Sequence, residues 1–452
     1  MKLKYHLPKF KFEISPIYKI LLSFMVLILI GAAGLMLPFS TYDGISFVDA
    51  FFTSISSVCV TGLMAVDTAT HFTSIGKGII LFLIQIGGLG IMTFALSIFA
   101  LIGGNLSLKW RFTFENFYSD LRANPIKSLI GRIVIYTLSI EAIAALILFT
   151  EFIKSFSFLT ALKLSVFHAI SAFCNAGFSL FPNSLISYQD NPVVVITIAI
   201  TVIMGGLGFI VLNEISGKIK HENRKKALSL HSKIVITMTI VLIVIGMLYF
   251  AIAEWNAAMS NMNPLTKLLT SFFQSVTCRT AGFRTIDINS LQEGTLCFMM
   301  MLMFIGGSPG SIAGGIKTTT IAVIILMVIS RFKGEEQIRV GARAINHETV
   351  YRSMTFVVLT IGFLFLSAIL LMTFDFLGEH DSMLSVFFEM VSAFATVGFT
   401  IGTTEQLSIA GKLYIACVIF IGKLGPLTLL MSLSNRAKVS KLKYPEEHIM
   451  IG

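Results

Sequence analysis

Four glycines mark the places where this sequence could do chemistry. Gly62, Gly177, Gly282 and Gly398 each close a half-apolar run: FFTSISSVCVTGLM, VFHAISAFCNAGFS, SFFQSVTCRTAGFR and FFEMVSAFATVGFT. Ten residues before the glycine all four runs have phenylalanine: Phe52, Phe167, Phe272 and Phe388. Six before it three have serine (Ser56, Ser171, Ser392), with Val276 in the third. An apolar residue follows in each: Leu63, Phe178, Phe283 and Phe399. None of the four has a carboxylate at the glycine or the two residues before it. The groups on offer are therefore backbone carbonyls. Glycine allows backbone angles that a side chain forbids, and carbonyls turned onto one axis replace the water shell of a cation such as potassium. The filter candidates are Val60, Thr61, Gly62; Asn175, Ala176, Gly177; Thr280, Ala281, Gly282; and Thr396, Val397, Gly398.

Elements of a particular kind must hold such segments. The glycines are 115, 105 and 116 residues apart, the mark of an internal repeat. Each run is too short to cross a bilayer and lies between apolar stretches long enough to do so. Non-helical backbone at membrane depth survives only where protein or a water-filled path surrounds it. Each run therefore reads as a short re-entrant helix followed by an extended segment. Four such helices aim their C-terminal dipole ends, each about half a negative charge, at one centre, which favours a cation. The expected fold is an all-α polytopic membrane protein: four parallel helix–pore loop–helix repeats around one pseudo-four-fold pore. Repeat 1 covers residues 1–105, repeat 2 covers 106–220, repeat 3 covers 221–335 with a broken inner helix, and repeat 4 with a cytoplasmic tail covers 336–452.

Composition and charge agree. Of 452 residues, 55% are hydrophobic and only 13% charged, with mean hydropathy +0.85; soluble domains carry about 25% charged residues. Spans are expected near 17–39, 76–103, 130–153, 193–217, 232–253, 295–330, 353–375 and 409–433. The first follows a basic start, as a signal peptide would. It lacks a small-residue cleavage site and reads as a retained helix. The net charge of +10 could point to nucleic acid, but 25 of the 34 Lys and Arg fall in alternate connections and the two termini. The positive-inside rule puts these, with both termini, in the cytoplasm, so the charge is a topology signal. Cys59, Cys174, Cys278, Cys297 and Cys417 show no metal-ligand spacing, and the first three read as packing residues. No clustered His, Asp or Cys inside the spans points to an enzyme.

The sixth span holds a second informative stretch, Gly306, Gly307, Ser308, Pro309, Gly310, Ser311, Gly314 and Gly315. Proline costs a helix about 3 kcal/mol and glycine about 1 relative to alanine, so helix is abandoned here. No strand precedes these glycines, which argues against a phosphate cradle; an unwound loop facing the pore, able to act as a gate, is expected. Lys317 and Lys423 lie within spans, where a charge usually faces an interior or cavity. Lys423 is expected to touch the pore or the loop, while Lys317 either joins it or snorkels to the cytoplasmic side. Arg279 and Arg284 either brace the third segment against Glu389 or Asp287 or are surface charges. His168 reads as a polar pore-helix residue rather than a ligand. Gly87-Gly88-Leu89-Gly90 and Gly205-Gly206-Leu207-Gly208 read as close helix packing.

Thr396-Val397-Gly398-Phe399 resembles the TVGYG filter of potassium channels without its second glycine. Four degenerate copies in one chain resemble the Trk/Ktr/HKT superfamily of potassium transporters over essentially the whole length. The stretches Phe304 to Thr320 and Gly422 to Thr428 match too, with Lys423 where the family usually has arginine. The chain is most similar to the eight-helix Ktr membrane (pore) subunit, KtrB type. The resemblance implies potassium uptake at the cytoplasmic membrane, a homodimer with one pore per protomer, and a cytosolic ring of nucleotide-binding RCK subunits. No cofactor is expected on this chain, and a sodium dependence or symport is left open. In plant relatives serine at the first filter position goes with sodium; glycine at all four positions here favours potassium, with a sodium or ammonium transporter of the same architecture as the alternative.

Overall fold

The computed structural model describes residues 16–90, 126–219, 227–335, 337–341, 343–374 and 382–425. Polar caps and prolines set where its helices begin. Ser46, Thr73, Ser229, Ser382 and Ser408 each accept a backbone N–H of the first turn, and prolines open the helices at 192 and 264. Among the described residues this gives fourteen helices of three turns or more, plus a two-stranded ribbon pairing Arg339–Val340 with Arg343–Ala344.

The helices fall into sets of similar order. The first has α1 (Pro16–Leu35), α2 (Phe47–Val58) and α3 (Ser74–Leu89). The second has α4 (Ile126–Phe152), α5 (Phe158–Phe173), α6 (Pro192–Leu207) and α7 (Phe209–Ile219). Next come α8 (Leu230–Glu254), α9 (Pro264–Thr277), α10 (Glu293–Phe304) and α11 (Thr318–Phe332). The last set is α12 (His347–Thr373), α13 (Met383–Ala395) and α14 (Ile409–Leu424). In every set a middle helix of 12 to 16 residues packs on its neighbours. A membrane crossing needs about 20, so these four stop partway.

Among the described residues, Gly131–Phe152 of α4, all of α8 and all of α12 are long and apolar enough to cross a membrane. Their outer faces are greasy: Leu146 is 68% exposed, Ile252 81% and Val358 67%. Such surface is costly in water and at home against lipid tails. One departure from the sequence reading concerns an inner helix. The span expected over 193–217 is bent by 105° between α6 and α7, at Gly208 with φ +91°. The apolar pattern runs on through the bend, so hydropathy does not register it. The break expected in the span over 295–330 falls between Phe304 and Thr318. The boundaries expected after residues 105 and 220, and the basic residues of 1–15 and 426–452, lie outside the described residues.

Small residues let the middle helices sit close. Ser54 of α2 donates to Ile28 O of α1 at 2.7 Å, and Ser275 of α9 donates to Ile243 O of α8 at 2.8 Å. Gly31 and Gly246 leave room for these serines. The last set also grips the first: Lys412 of α14 pairs with Asp49 of α2 at 2.7 Å.

Candidate functional site

The C-termini of α2, α5, α9 and α13 deliver the chain to a common place. Their C-caps are Cys59, Cys174, Cys278 and Thr396. The residue two before each glycine then has positive φ: Val60 at 57°, Asn175 at 55°, Thr280 at 71° and Thr396 at 52°. Three of these are β-branched, for which left-handed backbone is a true outlier. Each such residue costs about 1–2 kcal/mol, and strain of this kind persists where surroundings over-determine it, often at functional sites. Gly62, Gly177, Gly282 and Gly398 follow with φ of 88°, 70°, 71° and 93°. The residue between is not left-handed, so handedness alternates along each segment.

The four glycines close a ring. A Cβ on Gly62 would lie 2.5 Å from Ala176 O, and one on Gly177 would lie 2.9 Å from Ala281 O. One on Gly282 would overlap Val397 O, and one on Gly398 would overlap Thr61 O. Each glycine thus faces the carbonyl before the next glycine, and the fourth returns to the first.

Hydrogen bonds explain which way those carbonyls turn. In a trans peptide the N–H and the preceding C=O point in opposite directions. Thr61 N donates to Ser56 O at 2.8 Å, Ala176 N to Ser171 O at 2.8 Å and Val397 N to Ser392 O at 2.9 Å. These bonds turn the carbonyls of Val60, Asn175 and Thr396 away from their helices. The next peptide is held by side chains: Gly62 N donates to Ser56 Oγ at 3.1 Å, and Gly398 N to Ser392 Oγ at 3.2 Å. That fixes the carbonyls of Thr61 and Val397. Ser171 instead donates to Phe178 O at 2.7 Å. The third segment has Val276 in place of serine, and Thr277 O accepts from Ala281 N at 3.0 Å and Gly282 N at 3.2 Å. The recurrence of the serine is plain in the sequence. Its task, holding a peptide plane from behind, is not.

The residues between α10 and α11 form a loop pressed against this ring. Its ends meet through Gly306 N to Ile316 O at 2.9 Å and Thr318 N to Gly307 O at 3.1 Å. Gly314 abuts the end of α13: a Cβ there would overlap Thr396 Oγ1 and lie 2.9 Å from Ala395 O. The bend between α6 and α7 holds the other side. Ser308 N donates to Gly206 O at 3.0 Å, and Phe209 N to Gly310 O at 3.0 Å. A Cβ on Gly208 would lie 2.8 Å from Pro309 O. Lys423 of α14 donates to Ile312 O at 2.8 Å, and Lys317 turns back onto Ala313 O at 2.7 Å. Ser308 Oγ and Thr318 Oγ1 meet at 3.1 Å, and Ser311 Oγ donates to Ser308 O at 2.6 Å. Every loop residue singled out from the sequence, with Pro309, Gly310 and Gly315, therefore lies in one tied-down segment, and both lysines donate to its carbonyls.

The inner-helix glycines have a sharper use than close packing in general. A Cβ on Gly87, Gly205 or Gly422 would overlap the carbonyl oxygen of Val58, Phe173 or Phe394, the last residue or last but one of a middle helix. Arg279 is buried with no ion pair among the described residues, and Arg284 is half-buried. Neither pairs with Glu389 or Asp287; Glu389 instead accepts from Thr404 on the neighbouring single-turn helix. His168 lies fully buried in α5, bonded through its ring nitrogens to Leu164 O at 2.8 Å and Ser179 Oγ at 3.0 Å. Cys59, Cys174 and Cys278 are buried behind the segments, and all five cysteines are free. No group of three or more His, Cys, Asp or Glu that could hold a metal ion occurs among the described residues.

A family model described as TrkH, cation transport protein, matches residues 13–441. The chain is 39% identical over 441 residues to Ktr system potassium uptake protein B of Bacillus subtilis, covering 97% of each chain. It is 37% identical over 446 residues to potassium/sodium uptake protein NtpJ of Enterococcus hirae, covering 97% of this chain and 98% of that one. The crystal structure of the potassium transporter TrkH from Vibrio parahaemolyticus superposes with TM-score 0.70 at 20% identity, over 94% of this chain and 86% of that one.

Proposed function

The chain belongs to the TrkH family of cation transport proteins, and from that premise we propose that it takes up potassium across the cytoplasmic membrane through a single-file filter of backbone carbonyls. The closed ring of Gly62, Gly177, Gly282 and Gly398 carries this reading. In it, potassium sheds water between the four segments and is held by the carbonyls of residues 60–62, 175–177, 280–282 and 396–398. The four helix C-termini around it favour a cation. Hydrogen bonds behind the segments hold the carbonyls at a fixed spacing, so the site needs little rearrangement when the ion enters. The four sets of helices act as four parallel repeats about this axis, with both termini in the cytoplasm.

The loop from Gly306 to Lys317 serves as the gate on the cytoplasmic side of the filter. Its ties to Gly206, Phe209 and Lys423 hold it across the path, and opening requires some of them to break. A cytosolic RCK-type ring acting on a homodimer of this chain supplies the force. The similarity to Ktr system proteins supports a regulatory partner. The similarity to a potassium/sodium uptake protein supports a role for sodium, as co-ion or as alternative cargo. Rubidium uptake into liposomes holding the purified protein, with and without sodium, tests the reading. Uptake that discriminates against sodium supports it; membranes no more permeable to rubidium than empty liposomes overturn it.

A further inference from the structure

One buried acid has no part in the ring or the loop. Glu141 sits midway along the apolar stretch Gly131–Phe152 of α4 and is 5% exposed. Its Oε2 accepts from Gln85 Nε2 of α3 at 3.2 Å, while its Oε1 has no hydrogen-bond partner. One turn earlier on the same face of α4 is Thr137, fully buried, whose Oγ1 also lacks a partner. Two unpartnered buried oxygens one turn apart on one face of a membrane span are an unusual cost. An acid within a span usually marks an ion or proton site.

Oε1 accepts from no donor among the described residues, so the buried charge is left to be neutralised by a proton or a cation. A small cation between Oε1 and Thr137 Oγ1 would satisfy both oxygens together. Carboxylate and hydroxyl are hard oxygen ligands, and a single carboxylate balances a single positive charge. We propose that Glu141 and Thr137 bind a sodium ion behind the second filter segment and off the ion path, with Gln85 holding the carboxylate and water completing the shell. The site is wired to the filter. Gln85 Oε1 faces Cys174 Sγ at 3.9 Å, and Cys174 immediately precedes Asn175. Gly88, three residues after Gln85, packs against that same cysteine.

The test is binding of radioactive sodium to the purified full-length protein, at constant excess potassium so that any pore site is competed away. The wild type should bind sodium in a component that Glu141→Gln lacks, a change that keeps size and hydrogen bonding. Thr137→Val keeps the carboxylate and should raise the half-saturating sodium concentration by about tenfold, the usual scale for disturbing a metal site. Wild type without sodium binding, or either folded variant binding as wild type does, overturns the proposal. The readout does not depend on flux or on filter selectivity, so its failure would leave the proposed uptake function standing.

Discussion

The third copy and the other three use one scheme at the glycine ring and part company beyond it. In the first, second and fourth sets an inner-helix glycine (Gly87, Gly205, Gly422) rests on a middle-helix carbonyl, and a glycine with positive φ follows three residues later (Gly90, Gly208, Gly425). In the third, α10 stops at Phe304, and Gly306 rests on Gly314 of its own loop. The ring keeps four contributions of one backbone shape, as the proposed ion coordination requires. The layer below can spare one. Releasing a single inner helix from its middle helix frees a dozen residues for the proposed gate without altering the ring. The serines repeat the lesson on a smaller scale. Ser56 and Ser392 hold a glycine N–H, whereas the third copy meets the same demand with Thr277 O.

The comparison can be broken first at the ring. Gly398→Ala should abolish rubidium uptake in protein that reaches the membrane, since its Cβ would overlap Thr61 O. Gly402 has φ +102° with nothing within 4 Å of a Cβ, so Gly402→Ala incurs the backbone strain alone, about 1–2 kcal/mol, and should still conduct. Equal uptake by the two variants would remove the ring from the ion path. The next largest effect is on the loop. Deleting Gly307 to Gly314 should raise flux and weaken its dependence on the cytosolic partner, measured as rubidium uptake at matched levels of folded protein. Flux that stays low and fully partner-dependent would make the segment a packing kink. Lys423→Ala should move flux the same way by less. It removes one charged hydrogen bond, worth about 1.5–3 kcal/mol, and leaves the ties to α6 and α7 in place. The smallest effect should come from Ser56→Ala and Ser392→Ala. Each removes a neutral bond worth about 0.5–1.5 kcal/mol, and each should lower the potassium-to-sodium permeability ratio by roughly two- to tenfold. Threonine at either position should restore it. Val276→Ser should change nothing, because Gly282 N is already bonded to Thr277 O.

Internal repetition makes the ring glycines legible in the sequence alone. One T-V-G says little, but four aligned glycines with phenylalanine ten residues earlier say that one backbone shape recurs. The loop is legible because six glycines and prolines in one apolar span leave helix little chance. The bend at Gly208 is not. The residues on both sides stay apolar, and one glycine in a span is common enough to pass as packing. The partner of Lys423 is beyond reach for another reason. A charge in a span announces that it needs a partner, but the backbone carbonyl of Ile312, 111 residues away, carries no signature of its own. Arg279 and Arg284 show the converse hazard. Glu389 and Asp287 are plausible partners by charge, and the fold gives them to neither.

The most direct test of the account is the potassium-to-sodium permeability ratio of Gly62→Ser beside Gly44→Ser. Both glycines have positive φ, 88° and 77°, but Gly62 faces Ala176 O across the ring, whereas nothing lies within 4 Å of a Cβ on Gly44. Serine at 62 adds a hydroxyl beside the axis and disturbs the carbonyls there, so its ratio should fall well below that of the wild type, while Gly44→Ser should keep the wild-type value. A Gly62→Ser protein that conducts with an unchanged ratio would contradict the claim that these four glycines surround the ion.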